Sequence, residues 1–520
     1  MTRVSRLTLL PLGLLFAAFP LLFACRSYLN HDVAFFLTAA VSLAEGRRPG
    51  IDIVDVNPPL MMYLSLVPVM LSRWTGIALL VAGQLSMLAL VAGSALAIGR
   101  LLRLPPLAFD AGERALLTAF WLLGSLATYV AQEFGQREQV FVLLYLPFLF
   151  LRLLRHEGAR VGAFPAALLG VAAFLGAALK PHFLATLAAV ELYQLLRSRR
   201  PRVLLAPETL AWAATALLYA VHLLVVPGVS EYFTRWVPLL ARAYTAYGGA
   251  RLQIVLDLVD RPGYQLGLVL VVLSFYLAFR LRGPLAGILG SLSVFTTCAA
   301  LSFAEQAKGW TYHLIPVWFA ALLLTATLLV LLGRLLAAST DAVQGRQPLA
   351  LAAPVVWSLA AVVLAASLPF PHGRRDDPGP AASPFYQALL RYTQPRDPVL
   401  FLSPATTPAF PAITLADRRP GSRYYDTFPL PLFYHDATGY RSWQQTPPEE
   451  RRFYRELVED VAFLRPRLVF VSTRRGPQGC PDFFSVDEYL ERRGFYQEAL
   501  SPYAEIEPVG GFRLFRRRQP

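Results

Sequence analysis

Residues Leu314 to Gly333 read LIPVWFAALLLTATLLVLLG, twenty in succession without a charge. A hydrocarbon core about 30 Å thick is crossed by about 20 apolar residues in helical form. This stretch therefore has the length and composition of a membrane span. Comparable runs fall near 7–25, 76–99, 114–131, 139–153, 163–180, 183–197, 206–226, 264–280, 284–303 and 350–370, which with this one makes eleven. The run 60–71 is shorter and holds Pro68, and it is read as an interfacial or re-entrant helix.

Composition agrees with that reading. The 520 residues are 55% hydrophobic and 16% charged, against about 45–50% and about 25% in an ordinary soluble domain. The charge is unevenly spread: from residue 371 onward there are 39 charged residues in 150, and only 43 in the 370 before them. The expected fold class is a polytopic α-helical membrane protein with a C-terminal α/β domain. Its parts are a membrane body over 1–370 with a first external loop at 26–75, a Pro- and Gly-rich linker at 371–383, and a soluble domain over 384–520. Within the last, Val399 to Ser403 and Leu468 to Ser472 read as buried strands, Thr446 to Phe463 as a helix capped by Thr446, Val486 to Arg493 as a second helix, and Ala504 to Phe515 as closing strands.

Orientation follows from Lys and Arg accumulating in cytoplasmic loops. With Arg3 and Arg6 inside, the inner connections carry Arg100, Arg103, Arg114, Arg152, Arg155, Arg160, Arg197, Arg199, Arg200, Arg202, Arg280, Arg282, Arg334 and Arg346. Counting 60–71 as a twelfth span would put two of these clusters outside. Eleven spans place the C-terminal domain on the external side. The net charge of +14 is thereby explained by membrane topology, with no nucleic-acid signature beside it. Leu22-Phe23-Ala24-Cys25 resembles a lipoprotein cleavage box, but the apolar run is long for a signal and more helices follow, so an uncleaved first span is the simpler reading. Cys25, Cys298 and Cys480 show no paired spacing, which leaves no disulfide framework.

Four clusters emerge on the external side. They are Asn30-His31-Asp32 with Asp52, Asp55, Asn57, Pro58 and Pro59 in the first loop; Gly135-Gln136-Arg137-Glu138 at the end of the third span; Lys180-Pro181-His182 at the end of the fifth; and Lys308 to His313 beyond the ninth. Ionisable groups at membrane depth cost about 2.5 to 3.5 kcal/mol each, so they are placed at helix ends or in wet cavities with a task. Carboxylates, cations and imidazoles gathered on one side suit group transfer from a phosphate leaving group. Arg137, Lys180, Lys308 and His313 would hold the phosphate, and Asp32 would take the proton of an incoming hydroxyl. Glu138 is a second carboxylate or an ion-pair partner of Arg137. His31, Asp55, Asn57, His182, Trp310 and Tyr312 would line the substrate, with Asp52 and Asp55 also serving to shape the loop. A divalent metal, were one to take part, would fall to Asp32 and Glu138, although no ligand spacing marks such a site. His435-Asp436 and the Tyr424-Tyr425-Asp426 region are read as ordinary loop, with the lining of an acceptor cleft as the alternative.

Lys180 and Lys308 are the only lysines, and Asn30 and Asn57 the only asparagines. A GC-rich coding bias would explain their scarcity, yet all four fall in or beside these clusters. The missing Asn-x-Ser/Thr sites fit a bacterial inner membrane.

An Asp soon after the first span, the stretch Asp55-Val56-Asn57-Pro58-Pro59-Leu60, alternating spans and an external C-terminal domain resemble the integral-membrane GT-C glycosyltransferases. The likeness is to the branch of protein O-mannosyltransferases and lipid A aminoarabinose transferases, and its motifs lie between residues 26 and 65. The resemblance implies a polyprenyl-phosphate-linked sugar donor, a glycan, lipid or protein acceptor, inversion, and a catalytic role for Asp32. Arg137-Glu138 sits where those relatives carry an Arg and an acid, and Lys308 to His313 resembles a Lys-Gly-Trp-x-Tyr-His element of bacterial members. Asn57 stands where many relatives have Lys before Pro-Pro, and no second carboxylate adjoins Asp32. The competing reading is a transporter or flippase for a lipid-linked saccharide, but that class favours midplane charges and repeats, and neither is visible. An active C-terminal domain on a mere anchor would not need eleven spans, and the domain has no phosphate loop, HExxH or GxSxG.

Overall fold

The computed structural model describes residues 29–107, 109–130, 132–243, 253–256, 260, 262–341, 382–477 and 479–518. The expected spans at 7–25 and 350–370 lie outside the described residues, as does the linker apart from its last two residues. Among the described residues five helices are long and apolar enough to cross a membrane: Leu79–Leu101, Arg137–His156, Pro207–Val225, Pro284–Gln306 and Thr311–Leu335. His31–Ala44, Ala163–Ala177 and Tyr264–Arg280 are shorter apolar helices. By internal packing the chain divides into two units: Met1–Ser27, Met87–Tyr219 and Ala250–Arg375 form one, and Tyr28–Ser86, Ala220–Gly249 and Asp376–Pro520 the other.

The first unit is helical and centred on Arg137–His156, which is buried on nearly every side. Its apolar length packs through aromatic rings, Phe141 stacking on Phe183 at 4.1 Å and Tyr145 on Phe295 at 5.7 Å. Near its far end lies Arg152, which the charge pattern assigns to a loop. Instead it is fully buried inside the helix, donating to Glu191 at 2.8 Å, to the Val203 carbonyl at 2.9 Å and to Thr209 at 2.9 Å. Arg155 likewise donates to the buried Glu208 at 3.0 Å. A buried guanidinium is tolerable only when paired, and here the carboxylates arrive from the Pro181–Ser198 and Pro207–Val225 helices. Composition records the charge but not the partner. In contrast, Pro207–Val225 exposes most of its apolar surface, as a helix facing lipid does.

The second unit contains a five-stranded sheet in the order β2-β1-β3-β5-β4. The strands are β1 Pro398–Leu402, β2 Arg419–Pro420, β3 Leu468–Ser472, β4 Tyr503–Val509 and β5 Phe512–Arg517. β1 pairs in parallel with β2 and β3, whereas β5 runs antiparallel to β3 and β4. Every residue of β3 is buried, while β4 alternates. That is the contrast between a central strand covered on both faces and an edge strand wetted on one. The α/β reading of this region holds, but the helix expected from Thr446 starts later than its sequence suggests, spanning Pro448–Leu464 with Pro447 at the cap position, and the helices Pro384–Tyr392, Ala409–Leu415 and Pro429–Tyr434 precede it. Thr446 donates its hydroxyl to the Ser442 carbonyl at 2.8 Å. Pro447 and Pro448 have no amide hydrogen, so a capping hydroxyl at Thr446 would find few donors.

This unit also holds the short helices Leu60–Leu64 and Leu66–Thr75. The longer, ten residues, reaches about 15 Å, half a bilayer core. The loop before them is closed by a contact between two glycines. Gly50 and Gly228 have φ of +78° and +85°, and a Cβ on Gly50 would overlap the Gly228 carbonyl. Gly50→Ala is accordingly expected to destabilise the fold by at least about 1–3 kcal/mol from backbone strain alone, read as a lower thermal midpoint of the purified protein.

Candidate active site

The acidic group is assembled at the start of the His31–Ala44 helix. Asn30 caps it, its side-chain oxygen accepting from the Asp32 amide at 2.9 Å. Asp32 thus occupies the first turn, where the helix dipole favours a carboxylate. Its Oδ1 lies 3.5 Å from His31 Nε2, and the His31 side chain is about twice as open to solvent (37% against 19%). Further along the loop, Asp52 accepts from the Arg48 amide at 2.9 Å and from its guanidinium at 3.1 Å, which confirms the shaping role expected of it. Asn57 donates to both oxygens of Asp55 at 3.2 and 3.3 Å, and the two line a small cavity with Met62, Tyr232 and Trp236.

Asp426 joins this group, although its sequence context reads as ordinary loop. It is buried, accepting from the Phe428 amide at 3.1 Å and the Thr406 hydroxyl at 3.2 Å. Burial, and then the charges of Asp55 and Asp32, push its carboxyl up to about 7, against the lowering effect of those two donors. No local sequence signal separates such an acid from a solvated one.

The cationic group lies in the other unit. The Ala111–Val130 helix ends before Gly135, so Arg137 and Glu138 do not close that span; they open the next helix, Arg137–His156. Gly135, with φ +90°, makes the turn, and its amide donates to Gln139 at 2.8 Å. Lys180 sits in extended backbone between Ala163–Ala177 and the helix that Pro181 begins. There its ammonium donates to Glu138 Oε1, while His313 Nε2 lies 3.7 Å from the same oxygen. Glu138 is therefore paired across helices with Lys180. Among the described residues the buried Glu138 Oε2 and His313 Nδ1 meet no hydrogen-bond partner, a costly condition that a ligand's polar groups would relieve.

Aromatic rings surround these charges. Lys180 Nζ stands 5.3 Å from the Tyr312 ring and Lys308 Nζ 4.9 Å from the Trp310 ring, within reach of cation–π attraction. Ala307 and Gly309, both at positive φ, turn the chain out of Pro284–Gln306. The 3-10 turn Thr311–Leu314 then brings His313 back to Glu138. Thr311 donates to Glu133 at 3.2 Å, an acid that sequence reading passes over because nothing local ties it to residue 311. His182 packs edge-on against Phe183, with centroids 4.6 Å apart.

The structure thus gathers Glu138, Lys180, Tyr312 and His313 in one place, with Trp310 and Lys308 beside them, and Asp32, His31, Asp55 and Asn57 with Asp426 in another. Among the described residues no three His, Cys, Asp or Glu side chains are arranged to hold a metal ion.

No family model matches the chain, and no curated protein does. Solved structures do match. The crystal structure of ArnT from Cupriavidus metallidurans bound to undecaprenyl phosphate shares 13% identity and a TM-score of 0.60, covering 98% of both chains. The same protein in the apo state matches with a TM-score of 0.51, 13% identity and 97% of both chains. The chain thus shares the fold of ArnT over 98% of its length, and among the described residues five helices are long and apolar enough to cross a membrane, as a multi-pass membrane protein requires.

Proposed function

We propose that the protein transfers a sugar from a polyprenyl-phosphate donor to an acceptor at the external face of a bacterial inner membrane. The body spans the membrane eleven times over residues 1–370, and 384–520 form a periplasmic domain. The observation that supports this reading is the buried polar cluster of Lys180, Glu138 and His313, with Lys308 beside it, in a fold whose solved example carries undecaprenyl phosphate. Fold alone does not imply activity, and the cluster supplies the chemistry that fold lacks.

In the proposed reaction an acceptor hydroxyl attacks the anomeric carbon from the side opposite the phosphate. The new carbon–oxygen bond forms as the bond to the phosphate oxygen breaks, which inverts the centre. Asp32 receives the hydroxyl proton, and the lipid monophosphate departs with its charge held by Arg137, Lys180, Lys308 and His313. Glu138 orients Lys180 and His313. Trp310 and Tyr312 pack on the sugar or the first isoprene units, with His31, Asp55, Asn57 and His182 lining the substrate. The flippase alternative is not favoured by an ArnT-like fold.

Binding tests the donor half of this reading. Lys308→Gln is expected to weaken undecaprenyl phosphate binding by about tenfold or more, as loss of a charge-assisted contact of about 1.5–3 kcal/mol requires. Titration of the purified full chain with undecaprenyl phosphate reads it directly. Equal affinity of the variant and the parent would count against a phosphate site here.

A further inference from the structure

Sequence-distant segments meet at Asp426. The segment 403–428 belongs to the same packing unit as the first loop, and Val54 pairs in parallel with Tyr424, its amide donating to the Arg423 carbonyl at 2.8 Å. Both strands of a parallel pair advance in the same direction, so Asp55 leaves the bridge as Tyr425 and Asp426 do. Tyr425 is then buried against the helix that carries Asp32, its ring centroid 5.3 Å from that of Phe35 and its hydroxyl donating to Ser42 at 2.7 Å. Beneath the first turn, Thr414 donates to the Ala34 carbonyl at 3.1 Å, and Phe410 meets Phe35 at 5.3 Å. Asp426 follows directly on Tyr425, and both of its oxygens are engaged by its own segment.

A buried acid that feels the charges of Asp55 and Asp32 is an expensive way to tie a loop, since an amide or hydroxyl would accept the same donors at lower cost. We propose that Asp426 is a positioning residue for the transfer reaction, through which the C-terminal domain holds Asp32 and Asp55 in place and adjusts the charge beside them. The inference rests on the proposed role of Asp32, and it makes the C-terminal domain part of the working site. The titratable groups whose charges reach Asp426 are Asp55 from the first loop and Asp32 from the helix start, and after burial they help to raise its carboxyl to about 7. A proton gained or lost by a carboxyl so raised would alter the field at Asp32.

Two measurements on the full chain separate position from charge. Hydrogen exchange at residues 32–35 and 54–57 is expected to quicken by about tenfold in Asp426→Ala, whose loop anchors are lost, and to stay near the parent rate in Asp426→Asn. This arm needs no activity, so it stands even if the chain proves not to be a transferase. Unchanged exchange in Asp426→Ala would overturn the positioning claim. In the transfer assay, kcat and KM between pH 5 and 9 are expected to show an inflection near pH 7 in the parent. That inflection is absent from Asp426→Asn and moved upward in Thr406→Val, which loses a donor to the carboxylate. A rate lowered by one constant factor at every pH would mark a merely structural acid and overturn the charge claim.

Discussion

Asp32→Asn is expected to abolish sugar transfer while leaving the protein folded and inserted. Removing a positioned general base costs about 10²–10⁴ in rate, and the amide offers no basic oxygen at neutral pH. The fold has little reason to follow, because the cap on the His31–Ala44 helix uses the Asp32 backbone amide and the Asn30 side chain. The Asp32 carboxylate is not part of that bond, and His31 beside it is more exposed still. Turnover of a polyprenyl-phosphate-linked sugar by purified parent and variant, with size-exclusion profiles as the control, checks the prediction. A variant that turns over at the parent rate would sink the assignment of Asp32 and leave the acidic group without a base.

The second large effect concerns Lys180. With its ammonium on the buried Glu138, Lys180→Met leaves a carboxylate without its countercharge, and breaking such a pair from one side costs about 3–5 kcal/mol. Glu138→Gln in the same chain removes the stranded charge, and much of that stability is expected to return. Transfer is not expected to return with it. A lost donor to developing charge lowers kcat by about 10²–10³, and the double variant still lacks that donor. Thermal midpoints and turnover for the parent, the single variant and the double variant together read the two effects. If the double variant recovers both, Lys180 is a structural cation and the phosphate must be held elsewhere.

The four rare residues show how far sequence reading reaches. Their position near the four charged clusters is visible from spacing alone, but their contacts differ in ways that spacing does not carry. Asn30 caps a helix and Asn57 holds Asp55, both over two residues, so local chemistry explains them. Lys180 finds Glu138 across 42 residues. Arg152, counted as a topogenic loop charge, finds Glu191 across 39 residues and Glu208 across 56. Asp426 reads as a loop acid until Val54 pairs with Tyr424.

Hydropathy is additive along the chain, and for that reason the sequence by itself located most of the apolar helices among the described residues, to within a few residues at their ends, and the buried strands of the sheet. Strands β1 and β3 were legible because residues covered on both faces must be continuously apolar. Ion pairs and buried acids follow no such rule, since the cost of a buried charge depends on which distant group stands opposite it. Only the tertiary structure could decide that Glu138 belongs to Lys180 and His313, that Arg152 is interior, and that Asp426 follows two residues after a bridge to the first loop. In each case the deciding term is electrostatic, set by a separation in space that no separation in sequence encodes.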